Sequence, residues 1–233
     1  MQQSKLAALG RLSASIAHEI RNPVGALSHA AELLEESERL GEGEQRRAAI
    51  IESNARRVSD IVENVLQLSR RESVSPERMD LVAWARQFLE EFRASAQLPP
   101  EAIRLATEAG EVEVRMDAGH LFQVMTNLCE NAVHYAGADA DGTLIEVAIG
   151  RRVGTGRPYL EVRDRGPGIP PESADRIFEP FFRVGRERGG SGLGLFISRE
   201  LAEVNRAALS YEPRPGGGSI FRIIFADPQR WET

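Results

Sequence analysis

Residues 4–72 carry two runs of apolar and small side chains separated mostly by alternating steps of three and four. The first run is Leu9, Ser13, Ile16, Ile20, Val24, Leu27, Ala31 and Leu34; the second is Ile51, Asn54, Val58, Ile61, Val65 and Leu68. That spacing is the seam of a coiled coil. Between the runs, the stretch 37–44 holds Gly41 and Gly43, which break a helix. Two helices joined by a short loop make an antiparallel hairpin. A lone hairpin cannot cover both seams, whereas two hairpins can pair into a four-helix bundle. The spacing therefore predicts a helical hairpin over residues 1–72 that acts as a homodimer.

The 233 residues allow one large domain or two of ordinary size, and 42% hydrophobic residues suit a soluble globular chain. A net charge of −6 argues against a nucleic-acid partner, which requires a basic face to displace counterions. A single cysteine, Cys129, cannot form an internal disulfide, so a reducing compartment is expected. No apolar run approaches the roughly 20 residues that span a bilayer; Ile220–Ala226 is strand-length and carries Arg222. The sequence opens almost inside a helix, at Met1-Gln2-Gln3-Ser4-Lys5-Leu6. We therefore expect a portion of a longer protein whose upstream part holds a sensor or membrane region.

Past Pro76, which stops a helix, the pattern changes. Residues 73–80 read as a linker and 81–229 as a second domain. A helix is expected near Leu81–Ala94, then strands near Ile103–Thr107 and Val112–Met116. Asp117 is placed to N-cap a helix ending near Ala136. Strands follow near Leu144–Arg151 and Tyr159–Arg163, then a loop over 165–191, a helix over Gly192–Asn205 and strands near Ala208–Tyr211 and Ser219–Phe225. Hairpin-length turns between strands imply a mostly antiparallel or mixed sheet with helices on one face, an α+β two-layer sandwich.

Within the first helix stands Ala17-His18-Glu19-Ile20-Arg21-Asn22-Pro23. His18 lies roughly 200° around the helix from Ile16 of the seam, so it faces water. Asn22, one turn on, shares its face. A carboxylate beside an exposed imidazole orients the ring and can take its proton, which makes a nucleophile. On its own such a pair is most often a solvated helix face.

Four segments of the second domain carry further chemistry. Asn127 and Asn131, in Asn127-Leu128-Cys129-Glu130-Asn131-Ala132-Val133-His134-Tyr135, are spaced to share a helix face. Amide oxygens suit Mg²⁺, a hard cation that bridges phosphates. The others are Asp164-Arg165-Gly166-Pro167-Gly168, Ile177-Phe178-Glu179-Pro180-Phe181-Phe182 and Gly190-Ser191-Gly192-Leu193-Gly194-Leu195. Glycines before a helix let backbone amides approach phosphates, and the helix N-terminus favours their charge. Each segment alone is an ordinary turn, core anchor or solvated face.

Taken together and in this order, the stretch around His18 and these four segments resemble the H, N, G1, F and G2 boxes of the two-component sensor histidine kinases. Their nucleotide domain has the GHKL (Bergerat) ATP-binding fold. The resemblance covers nearly the whole chain. It implies that His18 accepts the γ-phosphoryl group of ATP, that Glu19 is the general base, and that Asn22 positions water for dephosphorylating the partner. It implies that Asn131 ligates Mg²⁺, with Asn127 in support. Asp164 would bind the adenine amino group and Tyr135 would stack near the base. Gly166, Gly168, Gly192 and Gly194 would shape the pocket and its lid, with Phe182, Ser191 and Leu193 in the same boxes. Ser219, in Gly216-Gly217-Gly218-Ser219-Ile220-Phe221, would help at the adenine end. The implied partner is the receiver domain of a response regulator.

Two departures carry mechanistic content. ATP-hydrolysing relatives place a glutamate where this chain has Asn127, so the site should hold ATP for transfer with little hydrolysis. Many histidine kinases have a lysine where this chain has His134; Arg183, Arg186 and Arg188 are candidates to supply that charge. Gly10–Pro23, Glu63–Arg71 and Gly218–Pro228 look particularly like the sensor kinases of type IV pilus regulation, which implies a response regulator of the sigma-54 activator type. Two alternatives stand beside this reading: an ATP-binding docking and phosphatase scaffold with little kinase activity, and a GHKL ATPase of another class, which Asn127 disfavours. A Walker-type NTPase is excluded by the lack of a Gly-x4-Gly-Lys-[Ser/Thr] run. His29 and His120 read as ordinary helix residues, Glu130 as surface, Cys129 as core, and Trp84 and Trp231 as packing groups.

Overall fold

The structure is a computed structural model that describes residues 41–69, 74–107, 110–135, 142–184 and 191–227, together with 20, 24–27, 29–31 and 34. The chain separates into two compact units: residues 1–73 with Pro180–Gly194, and residues 74–179 with 195–233.

In the first unit the described residues from 20 to 34 are helical, and helix α1 runs Glu42–Ser69. Its start is set by Gly41, whose backbone N–H donates to the Glu44 carboxylate at 3.1 Å while its carbonyl accepts from the Glu44 and Gln45 amides. This is the returning half of a capping box. The helix thus begins earlier than the expected loop 37–44 allowed, and Gly43 sits in its first turn. The seam divides into two stripes. Val24, Ala31, Ala48 and Ala55 are buried, whereas Leu27, Leu34, Ile51 and Val58 are exposed within a single chain.

The second unit begins with strand β1 (Glu77–Asp80), inside the stretch read as linker. It pairs antiparallel with β3 (Glu113–Met116), Arg78 opposite Arg115. Asp80 then caps helix α2 (Leu81–Ser95), accepting from the Val82 and Ala83 amides and also from Val112. A 3-10 turn (Pro100–Ala102) leads into β2 (Ile103–Thr107). After β3 comes α3 (Ala118–Tyr135), capped by Asp117 as its position predicted: the carboxylate accepts from the His120 amide at 3.0 Å. Then follow β4 (Ile145–Arg151), β5 (Pro158–Arg163), a single turn α4 (Pro171–Ala174), α5 (Gly194–Val204), β6 (Ala208–Pro213) and β7 (Ser219–Ile224).

The large sheet has the order β2-β4-β5-β7-β6. The β2–β4 pair is parallel and the others antiparallel. The sheet is mixed because the connection from β2 to β4 contains α3, and a helical crossover is what parallel pairing requires. The two neighbouring strands expected at 103–116 instead go to different sheets. On one face Ile145, Val147, Ile149, Leu160, Val162, Phe221 and Ile223 are buried. Helix α2 contacts β1 and β2, and α3 contacts β4 and β5. They contribute Leu81, Val82, Ala85, Phe88 and Leu89 from α2 and Leu121, Val124, Met125, Leu128 and Cys129 from α3. The arrangement is the α+β two-layer sandwich of the GHKL fold.

The other sheet face carries charge. Glu146 and Glu161 are buried, and register places Arg104 and Arg163 beside Glu146, and Arg222 opposite Glu161. Glu146 accepts from Arg104, Arg163 and Arg214 at 2.8–3.0 Å. Glu161 pairs with Arg163 and Arg222, which also holds Glu212. Cross-strand pairs of opposite charge stabilise a sheet. Among the described residues no helix is long and apolar enough to cross a membrane.

Candidate functional site

Asp164 follows β5 and is buried, 6% exposed. Its backbone is held to the start of β7: the Asp164 amide donates to the Ser219 carbonyl at 3.0 Å. Its Oδ1 accepts two backbone N–H groups, from Gly166 at 2.8 Å and from Ser219 at 3.1 Å. Among the described residues nothing donates to Oδ2. The carboxylate is fixed through one oxygen and keeps its other as an acceptor.

The neighbouring glycines meet backbone where a side chain would stand. A Cβ on Gly166 would lie 2.4 Å from the Tyr135 carbonyl oxygen, and one on Gly218 would lie 2.1 Å from that of Asp164. Gly218 and Gly168 also have positive φ, which favours glycine. These contacts bring the C-terminal end of α3 against the Asp164 segment. Tyr135 is exposed there, with its ring edge-on to His134. One turn earlier, Asn131 is half-buried, and its side chain makes no hydrogen bond among the described residues. Asn127 donates to the Ser198 hydroxyl at 3.2 Å, and Ser198 is fully buried on α5. The described contacts join Asp164, Gly166, Gly168, Ser219 and Tyr135, while Asn131 and Asn127 stand one and two turns back along α3.

The remaining second-domain residues form a separate cluster. The Phe181 amide donates to the Gly192 carbonyl at 2.9 Å, and both residues have positive φ. A Cβ on Gly192 would come 2.9 Å from the Phe181 carbonyl carbon. Ser191 is buried and its hydroxyl accepts from the Leu193 amide; Leu193 is buried and Gly194 opens α5. Phe182 and Arg183 are half-buried. His18, Glu19 and Asn22, with Arg186, Arg188 and Trp231, lie outside the described residues.

The fit of the implied groups can be judged on donor chemistry. An adenine presents an amino N–H, which an acceptor fixed in place can read, and Oδ2 of Asp164 is such an acceptor. A free amide oxygen on Asn131 suits a Mg²⁺ ion that takes its other ligands from phosphate and water. Among the described residues no cluster of histidine, cysteine and acidic side chains could hold a metal without such help.

Burial and the nearby charge of Glu130 push the Cys129 thiol up, so it is an inert core residue. Glu130 is exposed and Trp84 stacks on Phe88, as read from the sequence. His120 is more than an ordinary helix residue: its Nδ1 lies 2.9 Å from the amide nitrogen of the fully buried Asn205, whose Oδ1 accepts from the Asp117 backbone. Sequence reasoning missed Ser198, Asn205 and Arg214, whose partners lie more than 45 positions away in the chain.

Residues 8–74 match the His Kinase A (phospho-acceptor) domain, and residues 116–229 match the histidine kinase-, DNA gyrase B- and HSP90-like ATPase family. The chain is 44% identical over 98% of its length to the sensor protein kinase PilS of Pseudomonas aeruginosa, covering 43% of that protein. It is 30% identical over 94% of its length to the sensor histidine kinase ZraS of Klebsiella oxytoca, covering 46% of it. It thus spans less than half of each. Full-length ShkA, crystallised with AMPPNP, superposes with a TM-score of 0.64 at 24% identity over 92% of this chain and 45% of that one, a likeness of fold. With a phospho-acceptor domain followed by an ATPase domain of this family, the chain belongs to the sensor histidine kinases.

Proposed function

We propose that the chain is an ATP-dependent protein-histidine kinase that phosphorylates itself on His18 and passes the phosphoryl group to an aspartate in the receiver domain of a response regulator. The observation that carries this reading is the asymmetric carboxylate of Asp164, bound at Oδ1 by Gly166 and Ser219 with Oδ2 left to accept. It is backed by the two asparagines on α3. The adenine amino group donates to Oδ2, and the exposed Tyr135 ring lies beside the base.

Bound Mg²⁺, held by the Asn131 amide oxygen, would neutralise charge on the terminal phosphates. Glu19 takes the imidazole proton as a ring nitrogen of His18 forms a bond to the γ-phosphorus. The bond from that phosphorus to the bridging oxygen breaks, and ADP leaves. Asn127 is engaged with Ser198 and carries no carboxylate, so no side chain at that position activates water. Asn22 orients water for hydrolysis of the aspartyl phosphate on the partner, which releases inorganic phosphate and regenerates the carboxylate.

We further propose a division into a phosphoacceptor hairpin (1–72) and the ATP-binding domain (81–229), with the stretch read as linker (73–80) contributing β1 to the second unit. The exposed stripe Leu27, Leu34, Ile51 and Val58 supports pairing of two hairpins. Identity to PilS supports a regulator of the sigma-54 activator type and control of type IV pilus genes. It also supports anchoring of the whole protein in the inner membrane by an upstream region.

Incubated with Mg²⁺ and ATP radiolabelled at the γ-phosphate, the chain should acquire acid-labile, alkali-stable label. The His18→Gln variant should acquire none while still binding ATP. Label that persists in this variant removes His18 as the acceptor.

A further inference from the structure

We infer that Arg214 is a positioning residue for nucleotide-base recognition, acting through the backbone of Asp164; this rests on the reading of Asp164 as the base-reading group. Arg214 leads into the β6–β7 turn, and its side chain is 10% exposed. One guanidinium nitrogen donates to Oε2 of Glu146 at 3.0 Å and the other donates to the Asp164 carbonyl oxygen at 3.2 Å. It therefore ties the residue that would read the base to a buried carboxylate on β4, an inner strand of the sheet.

Neutralising Glu146 does not require this. Arg104 and Arg163 already pair with it, and both are more exposed than Arg214, at 53% and 28%. A third and more deeply buried guanidinium adds positive charge where desolvation is costly. Its second contact supplies the reason for its presence. The donors that fix Oδ1 of Asp164 come from Gly166 and Ser219, and the segment before Ser219 is Gly216-Gly217-Gly218, all with positive φ. Glycine backbone has the greatest freedom to lose, so a carboxylate held only by that segment would be loosely aimed.

Three contacts remove the freedom. The Arg214 amide donates to the Gly218 carbonyl, its side chain grips the Asp164 carbonyl, and Arg165 reaches across to the Pro215 carbonyl at 3.2 Å. A planar fork suits two acceptors on different segments, which the single ammonium of lysine does not match.

The test uses the full chain. Dissociation constants for ATP and GTP, kcat at saturating ATP, thermal stability, and amide exchange at Gly166 and Ser219 without nucleotide are measured in the wild type and in Arg214→Met, Arg214→Lys and Arg222→Met. Arg222 holds Glu161 on the same ladder without touching Asp164, so its loss reports on the sheet alone. Arg214→Met should weaken ATP binding about tenfold and lower the ATP-over-GTP ratio by a similar factor, with kcat within about twofold. Exchange at Gly166 and Ser219 should quicken. Arg214→Lys should fall between, and it serves if the methionine variant does not fold. Arg222→Met should lower stability and leave the constants, their ratio and the exchange unchanged. Parallel behaviour of the Arg214 and Arg222 variants overturns the inference, as does an unchanged ATP-over-GTP ratio in both Arg214 variants. A wild type without preference for ATP refutes Asp164 as base reader; the exchange rates then decide separately whether Arg214 holds the loop.

Discussion

The two oxygens of the Asp164 carboxylate have different surroundings, and a conservative substitution separates their roles. In Asp164→Asn the amide oxygen can keep the Gly166 and Ser219 amides, so the local fold should persist. The other position then presents N–H groups, which face a donor on adenine instead of accepting from it. A hydrogen bond to a charged group contributes about 1.5–3 kcal/mol, so ATP binding should weaken by about ten- to 150-fold with little change in melting temperature. Calorimetric titration and thermal denaturation check the two halves of that expectation. Gly166→Ala should fail differently. The added methyl would stand 2.4 Å from the Tyr135 carbonyl oxygen, which is backbone, and 3.1 Å from Oδ1 of Asp164. Overpacking of this kind costs about 1–3 kcal/mol. It should lower the melting temperature and nucleotide affinity together, because α3 must retreat from the Asp164 segment.

Among the elements, the sheet face opposite the helices makes the fold sensitive to acid. Burial works against ionisation of Glu146, but the hydrogen bond from Arg104 and the charges of Arg163 and Arg104 outweigh it, so its pKa is lowered below the ordinary 4.5. Asp117 behaves alike: burial raises its pKa, but the backbone amides of Ser75 and His120 and the His120 charge lower it further, to a net value below 3.8. A carboxyl whose pKa is depressed on folding adds stability above its unfolded value, and that stability is lost as pH falls through the folded one. Melting temperature should hold steady from neutrality down to about pH 5 and drop below pH 4.5, where the unfolded chain begins to take up protons that the folded chain refuses. Glu146→Gln should melt lower at neutral pH and lose less on acidification. Thermal scans across pH 3–7 compare the two slopes. The register that creates this ladder was hidden in the sequence. Nothing in the local sequence marks the partners of Glu146 and Glu161, and only the order β2-β4-β5-β7 sets arginines beside them. Strand β1 was hidden for the same reason: Glu77-Arg78-Met79-Asp80 after Pro76 has no alternating apolar pattern, and pairing with β3 makes it a strand. By contrast, α2, α3 and most large-sheet strands were legible, because periodicity and capping are local. Asp164, its glycines and Ser219 were singled out by the order of their motifs along the chain and the resemblance that order carries, whereas Arg214 and Ser198 act through partners far away in sequence.

For the molecule as a whole, the proposed hairpin sets the expected stoichiometry. Of the seam read from the sequence, Val24 and Ala31 are buried, along with Ala48 and Ala55, while Leu27, Leu34, Ile51 and Val58 remain 54%, 44%, 44% and 39% exposed. The two exposed pairs are each spaced by seven, so all four side chains return to the same side of their helices. Covering the exposed half of one such side chain contributes about 1 kcal/mol, and a two-fold axis applies each contribution twice. The second unit, by contrast, has its own apolar core between sheet and helices. Light scattering should therefore give a dimer for the full chain and a monomer for residues 74–233, with the same ATP affinity in both. Leu27→Lys with Ile51→Lys should shift the full chain to monomer, leave ATP binding unchanged and suppress labelling of His18 if the acceptor helix depends on the bundle for its form. A wild-type chain that stays monomeric at every concentration tested would leave the exposed stripe without an occupant and remove the paired hairpin from the proposal.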